Sequence, residues 1–240
     1  MKAMVLAAGR GTRLGALTIT RPKALVEVGG VPLLEIVLGR LRQAGVTEVV
    51  INLHHLGEQI VRFLQERDHL GMVVHYSWEP QLLDTGGGLK QAARWLVGTE
   101  DEAILIHNVD VLSDIDLAEL VRSHRVSGAL ASLAVKPRDT SRPLLFDDQG
   151  WLCGRITAEG PRIAREPVGR VVPLGFSGVH AISSSLLSLL SESGPFSIVD
   201  SYLRLAAEGR PIRAFRVDHH RWRDAGRVAD LRPLDDDVCG

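Results

Sequence analysis

Ala3-Met4-Val5-Leu6-Ala7-Ala8-Gly9-Arg10-Gly11-Thr12-Arg13-Leu14-Gly15 lies near the start of the chain, and Arg21-Pro22-Lys23 follows shortly after. The apolar run reads as a short buried strand and the glycines as the turn that ends it. Glycine lets the backbone pass close to a ligand because no Cβ blocks the approach. Successive N–H groups in such a turn form a concave anion site. Arg10, Arg13, Arg21 and Lys23 add positive charge in the same neighbourhood. The stretch therefore predicts an α/β fold whose first strand ends in a polyphosphate site.

Two well-known phosphate loops do not fit it. A dinucleotide fingerprint needs a third glycine three residues after the second, where a helix begins. Here that place is Leu14, and Thr18, Thr20 and Pro22 argue against an immediate helix. A P-loop ends in Gly-Lys-Ser/Thr, a triplet the sequence lacks. For the glycines alone, a tight strand-to-helix turn with solvated arginines is the plain alternative.

At 240 residues the chain is long enough for one large α/β domain, which would bury roughly 70–75% of its extended surface. A net charge of −1 gives no basic field for extended nucleic-acid binding. Cys153 and Cys239 suggest neither a disulfide framework nor a metal knot. No apolar run approaches the roughly 18 residues of a membrane span. Met1-Lys2-Ala3 leads straight into the first strand without room for a leader peptide, so a reduced cytoplasmic setting is expected.

From residue 3 to 126 strands alternate with helices: Glu48–Leu53, Met72–Trp78 and Ala103–His107 read as strands, separated by helices from Pro32 up to Gly45, through Ile60, Val61 and Leu64, and at 89–96. That rhythm predicts a three-layer fold with a mostly parallel sheet. Asp84-Thr85-Gly86-Gly87-Gly88 reads as a second glycine-rich turn, opening the helix at Leu89. Beyond 126 the pattern changes to strands at 129–135, 144–146, 151–156 and 174–182, then helices at 183–190 and 196–208. Extended segments at 212–217 and 220–223 and a last helix near Arg227 follow. We expect one domain over residues 1–234, with a nucleotide half (1–126) and an acceptor half (127–234), and a frayed acidic tail at 235–240.

Several carboxylates are candidates for chemistry. Asp110 follows an apolar strand, where open α/β sheets bind ligands, although a helix cap is the alternative. Asp224 sits in Trp222-Arg223-Asp224-Ala225-Gly226, which by itself could be a surface turn. Glu79 precedes the second glycine-rich segment, whose residues could equally be a capped helix start. His54-His55 and His219-His220 lack a third ligand at metal spacing, and no Ser-His-Asp or Cys-His relay is identifiable.

Leu6-Ala7-Ala8-Gly9-Arg10-Gly11-Thr12-Arg13-Leu14, then Thr18 and Pro22-Lys23, resembles the signature of the sugar-1-phosphate nucleotidyltransferases. The resemblance implies a Rossmann-like, GT-A-like fold and transfer of a nucleotide from an NTP to a sugar 1-phosphate. It implies that Arg13 and Lys23 are catalytic and hold the leaving pyrophosphate. Leu6, Ala7, Ala8, Gly9, Gly11, Thr12, Glu79, Gly86 and Gly87 would bind the nucleotide, and Asp110 and Asp224 a Mg²⁺ ion. The glycine triplet looks most like N-acetylmuramate 1-phosphate uridylyltransferases, which favours UTP over the GTP of mannose-1-phosphate guanylyltransferases.

The sequence departs from the family at three places. Gly15-Ala16 replaces a usual proline, Val109 a glycine before the metal aspartate, and Gly160 the lysine of a Glu-Lys-Pro segment. Glu159, Arg162 and Gly178 are the candidates on the sugar-phosphate side, with Arg165 and Arg170 as other sources of charge. A monomer or homodimer acting on these small molecules, with no nucleic acid or membrane partner, is expected. A phosphocholine-type cytidylyltransferase and a non-catalytic nucleotide-sensing homologue are the alternatives.

Overall fold

Ala3 and Val5 pack into one core and Met4 into another, all fully buried, so the first strand, β1 (Lys2–Leu6), is covered on both faces. The computed structural model describes residues 1–98 and 101–231. After β1 come a short hairpin, β2 (Glu27–Val28) and β3 (Val31–Pro32), then α1 (Leu33–Gln43) and β4 (Glu48–Leu53). Next are α2 (Gly57–Gln65), β5 (Val73–Trp78), α3 (Asp84–Leu96), β6 (Ala103–Asn108) and β7 (Val111–Ser113). Then follow α4 (Leu117–Ser127), β8 (Ala131–Lys136), β9 (Leu144–Phe146), β10 (Leu152–Thr157) and β11 (Gly160–Ile163). The long β12 (Val172–Ser183), α5 (Ile198–Ala207), β13 (Ile212–Arg216) and β14 (Trp222–Asp224) complete the order.

A ten-stranded mixed sheet runs β11-β10-β9-β12-β6-β1-β4-β5, with β8 added to β12 and β13 to β8. The strands β6, β1, β4 and β5 are mutually parallel, and the antiparallel β12 joins them to the second half. Two apolar cores separate three layers. Leu38, Ile60 and Leu120 bring α1, α2 and α4 onto one face. Leu89 and Tyr202 bring α3 and α5 onto the other. A third, smaller cluster of Leu14, Val26, Val28, Leu33, Leu112 and Ala225 ties the first turn to β7 and β14.

Some expectations need correction. The glycine triplet is not a turn before a helix but lies inside α3, which starts at Asp84. Three helical glycines are costly, and packing explains them. A Cβ on Gly86 would sit 2.3 Å from the Phe196 ring, and one on Gly88 would sit 2.6 Å from Glu79 Oε1. Thr12–Thr18 forms a 3-10 helix kinked at Gly15 rather than an irregular turn. The segments expected as helices at 183–190 and after Arg227 are 3-10 turns, Ser184–Leu189 and Val228–Asp230. β7 carries no sequence signal of its own. The tail at 235–240, with Cys239, falls outside the described residues.

Candidate active site

Beyond the carboxyl ends of β1, β4 and β6 lies a cavity of about 430 Å³, the place where open parallel sheets bind ligands. Leu6, Ala8, Gly9, Lys23, Glu79 and Asp110, all singled out in the sequence, line it. Asn52, Asn108, Leu82, Asp84, Thr85, Val109 and Pro195 complete the wall. Thr12 begins the 3-10 turn beside it, while Gly11 acts inside the loop.

Gly11 has φ +65°, and a Cβ there would meet Thr18 Cγ2 at 2.9 Å and Lys23 Cβ at 3.1 Å. The Thr18 hydroxyl donates to the carbonyls of Gly11 and Gly15 at 3.0 and 3.2 Å, closing the loop on itself. Lys23 is thereby drawn inward to 8% exposure, and its ammonium pairs with the Asp110 carboxylate. Gly9 differs: nothing lies within 4 Å of where its Cβ would be. Its open side faces the cavity, so this is the point of close backbone approach. Arg21 is tied to Glu27 at 3.2 Å and lines no part of the cavity.

Asn52 is the residue the sequence reading missed. Its Oδ1 accepts from the amides of Ala7 and Ala8 at 2.6 and 3.2 Å, and its Nδ2 donates to Glu79 Oε1 at 2.7 Å. Glu79 Oε2 accepts from the Leu83 amide at 3.0 Å. Burial raises the Glu79 pKa, against those hydrogen bonds and the charge of His54. Ala7, Ala8 and Glu79 are therefore committed to a buried network that fixes the end of β1 to the start of α3. Each Glu79 oxygen has one protein donor, and a carboxylate keeps further lone pairs, so Glu79 on the cavity wall can still accept from a nucleotide. The amides of Gly86 and Gly87 were expected to face a base, yet they donate to the Phe196 carbonyl at 2.9 and 3.3 Å. The signal for Asn52 was a polar side chain within the apolar run 49–53.

The two distant aspartates meet at one junction. β14 pairs antiparallel with β7, Asp224 opposite Val111, and the Ala225 amide donates to the Asp110 carbonyl at 2.7 Å. Arg13 Nη2 stands 3.6 Å from Asp224 Oδ2, with both side chains partly exposed. Gly226 permits this, because a Cβ there would lie 2.5 Å from Asp224 Oδ1 and 2.7 Å from Arg13 Nη2. Asp224 Oδ1 is buried with no hydrogen-bond partner among the described residues. An orphaned carboxylate oxygen is costly until a donor or cation meets it, and hard oxygen donors suit Mg²⁺. Among the described residues no group of three or more His, Cys, Asp or Glu could hold a metal. An ion held by this pair would therefore need substrate oxygens to complete its shell.

The substitutions at 109 and 160 leave ordinary backbone. Val109 is absent from the non-glycine residues with positive φ, so no left-handed peptide is forced on it. Gly160, where the turn after β10 enters β11, has φ +115°, a conformation that favours glycine.

The acceptor-side candidates are scattered. Glu159 is exposed in that same turn, accepting from the Thr157 hydroxyl at 2.8 Å. Arg162, on the edge strand β11, faces a separate groove with Arg155 and Asp200. Arg165 stacks 5.6 Å over Trp151, and Arg170 is largely exposed beside Asp148. Only Gly178 adjoins the cavity: with φ +73°, its Cβ would meet Asn108 Nδ2 at 2.9 Å. His54 contacts the Glu79 carbonyl, and His220 contacts Asp114.

Residues 2–145 match the model of the Nucleotidyl transferase family. The chain is 34% identical to the N-acetylmuramate alpha-1-phosphate uridylyltransferase of Caulobacter vibrioides, over 87% of this chain and 85% of that protein. It is 30% identical to the mannose-1-phosphate guanyltransferase of Debaryomyces hansenii, over 96% of this chain but 62% of that protein's length. Its fold matches a UDP-glucose pyrophosphorylase from Acinetobacter baumanii with a TM-score of 0.76 at 19% identity, covering 96% of this chain and 90% of the other.

Proposed function

The chain belongs to the nucleotidyl transferase family, and from that premise we propose that it joins a nucleoside triphosphate to a sugar 1-phosphate, releasing pyrophosphate. The observation that carries this reading is the junction of the glycine loop with Asp110 and Asp224, each bearing its own cation, Lys23 and Arg13. A site so balanced exchanges partners when substrate arrives: the two cations pass to phosphate oxygens and release the two carboxylates.

Asp110 and Asp224 would then hold Mg²⁺, whose chemistry when bound is to offset negative charge on the phosphate oxygens. Arg13 and Lys23 hold the β- and γ-phosphates that leave, and the open backbone at Gly9 admits the triphosphate. The Asn52–Glu79 network keeps the end of β1 rigid beneath the nucleotide. The acceptor's own phosphate oxygen is the nucleophile, so the protein supplies position and charge rather than a side-chain nucleophile.

UTP is the proposed nucleotide, because the Gly86-Gly87-Gly88 triplet resembles that of uridylyltransferases. The relatives above include a guanyltransferase, so the base is the finer part of the proposal. The test is pyrophosphate release with Mg²⁺, each NTP in turn and a panel of sugar 1-phosphates. Turnover greatest with UTP supports the reading in full, and turnover greatest with GTP overturns only the base. Tight NTP binding without turnover on any pair overturns the reading in favour of a nucleotide-sensing protein.

A further inference from the structure

Arg138, just past the end of β8, has no part in the site as described so far. Its guanidinium carbon stands 4.3 Å over the Trp222 ring, and Nη2 donates to the Phe176 carbonyl at 2.8 Å. Its Nε is buried and has no partner among the described residues. The slot is built for it, since a Cβ on Gly175 would lie 2.6 Å from Arg138 Cγ and from its Nε. Trp222 is fixed in turn by donating Nε1 to the Ser177 carbonyl at 2.8 Å. Arg138 is thus clamped between Phe176 of β12 and Trp222 of β14, and Trp222 lies two residues before Asp224. Burial lowers its pKa, and the negative charge of Asp224 works against that.

Three other cations near the junction are committed. Lys23 pairs with Asp110 and Arg13 with Asp224, and Lys136 Nζ donates to the His220 carbonyl at 2.5 Å. Arg162, Arg165 and Arg170 stand elsewhere, as described above. In an in-line displacement the attacking and leaving oxygens lie on opposite sides of the phosphorus. With Lys23 and Arg13 assigned to the leaving phosphates, an incoming phosphate monoester needs a further cation at the junction, and the charge of Asp224 acts on Arg138. An arginine guanidinium makes strong, charge-assisted hydrogen bonds to phosphate, and that of Arg138, on a partly exposed side chain, keeps donors beyond the one given to the Phe176 carbonyl.

We propose that Arg138 binds the phosphate of the sugar 1-phosphate, held in place by Trp222 and by the space at Gly175. The proposal rests on the nucleotidyltransferase reading. The rival is that Arg138 only braces Trp222 and, through it, Asp224.

The experiment measures KM for each substrate separately in the wild type, Arg138→Met and Arg138→Lys, with melting temperatures recorded alongside. Arg138→Met keeps an unbranched stem on Trp222 and removes the fork. It should raise the acceptor KM about 10- to 100-fold, as for a lost hydrogen bond to a charged group, while the NTP KM changes less than about twofold. Arg138→Lys should recover part of that loss. Gly175→Ala is a second variant that keeps the arginine but crowds it, and should likewise raise the acceptor KM selectively. Equal rises in both KM values, or a fall in kcat with the acceptor KM unchanged, would overturn the proposal in favour of the brace. A wild-type protein without turnover on any pair would overturn the function and this assignment together, whereas an active wild type with normal acceptor KM in both Arg138 variants overturns this assignment alone.

Discussion

The amide of Ala225 donates to the carbonyl oxygen of Asp110 at 2.7 Å, joining the end of β14 to the turn that precedes β7. Ala225 is also buried with Leu14 and Leu112 in the small third core. One backbone bond and one apolar cluster therefore bring the glycine loop, Asp110 and Asp224 together from three remote parts of the sequence.

The two aspartates should separate in stability while agreeing in activity. Asp110→Ala strands the Lys23 ammonium, whose side chain is 9% exposed, and breaking a buried pair costs up to about 3–5 kcal/mol. Asp224→Ala removes a pair in which Arg13 is 55% exposed, worth about 0–1 kcal/mol. Both variants should lose at least on the order of 10²-fold in kcat. Urea unfolding beside pyrophosphate release checks this, and comparable losses of stability would contradict it.

Gly9→Ala and Gly88→Ala should fail in different ways. At Gly9 the added methyl meets no protein atom within 4 Å, so the unfolding free energy should stay within about 0.5 kcal/mol of wild type. The NTP KM should nevertheless rise, because the methyl stands where the triphosphate passes. At Gly88 it would lie 2.6 Å from Glu79 Oε1 and 2.9 Å from Asn52 Nδ2, so the protein should melt earlier. A Gly9→Ala enzyme with unchanged NTP KM would remove the close approach from the account.

Gly226→Ala probes the junction directly. Its methyl would fall 2.5 Å from Asp224 Oδ1, and misplacing a reacting group by about 1 Å can cost up to roughly 10²-fold in rate. A drop in kcat with little change in melting temperature is expected. A variant with wild-type kcat would show that this contact is incidental.

Acid should weaken the fold through its buried histidines. Burial pulls the pKa values of His107 and His124 down to about 4 and that of His180 to about 3. The native state keeps these rings neutral, whereas the unfolded chain protonates them near the ordinary value of 6.5. Their contribution is present above 6.5 and is lost as pH falls toward 4, at up to about 1.4 kcal/mol per pH unit for each ring. Urea midpoints at pH 7.5 and pH 5 measure the slope. His180→Leu, at a site where neither ring nitrogen has a partner among the described residues, should flatten it.

The parallel half of the fold was legible because β1, β4 and β6 are apolar runs covered on both faces, each ending in glycine or a polar residue. Asp110 and Gly9 could be read for the same reason, since they follow the ends of β6 and β1, whereas Lys23 opens a 3-10 turn and was legible only from its place after the glycine loop. The glycine triplet misled because glycines usually mark turns, and only the ring of Phe196, far along the chain, explains why α3 contains them. Asn52 and Arg138 were missed because each works through partners distant in sequence, Ala7 and Glu79 for one and Phe176 and Trp222 for the other. The roles of Arg162 and Glu159 depended on which way the β10–β11 hairpin faces, and no local pattern records that.

The central claim is that Asp110 and Asp224 share one divalent ion with the nucleotide, and Mn²⁺ binding followed by electron paramagnetic resonance in the presence of UTP tests it most directly. Wild-type protein with UTP should bind Mn²⁺ tightly, and Asp110→Asn and Asp224→Asn should each weaken that binding at least about tenfold, as for a lost hard-oxygen ligand. Wild-type Mn²⁺ affinity in either variant would contradict it.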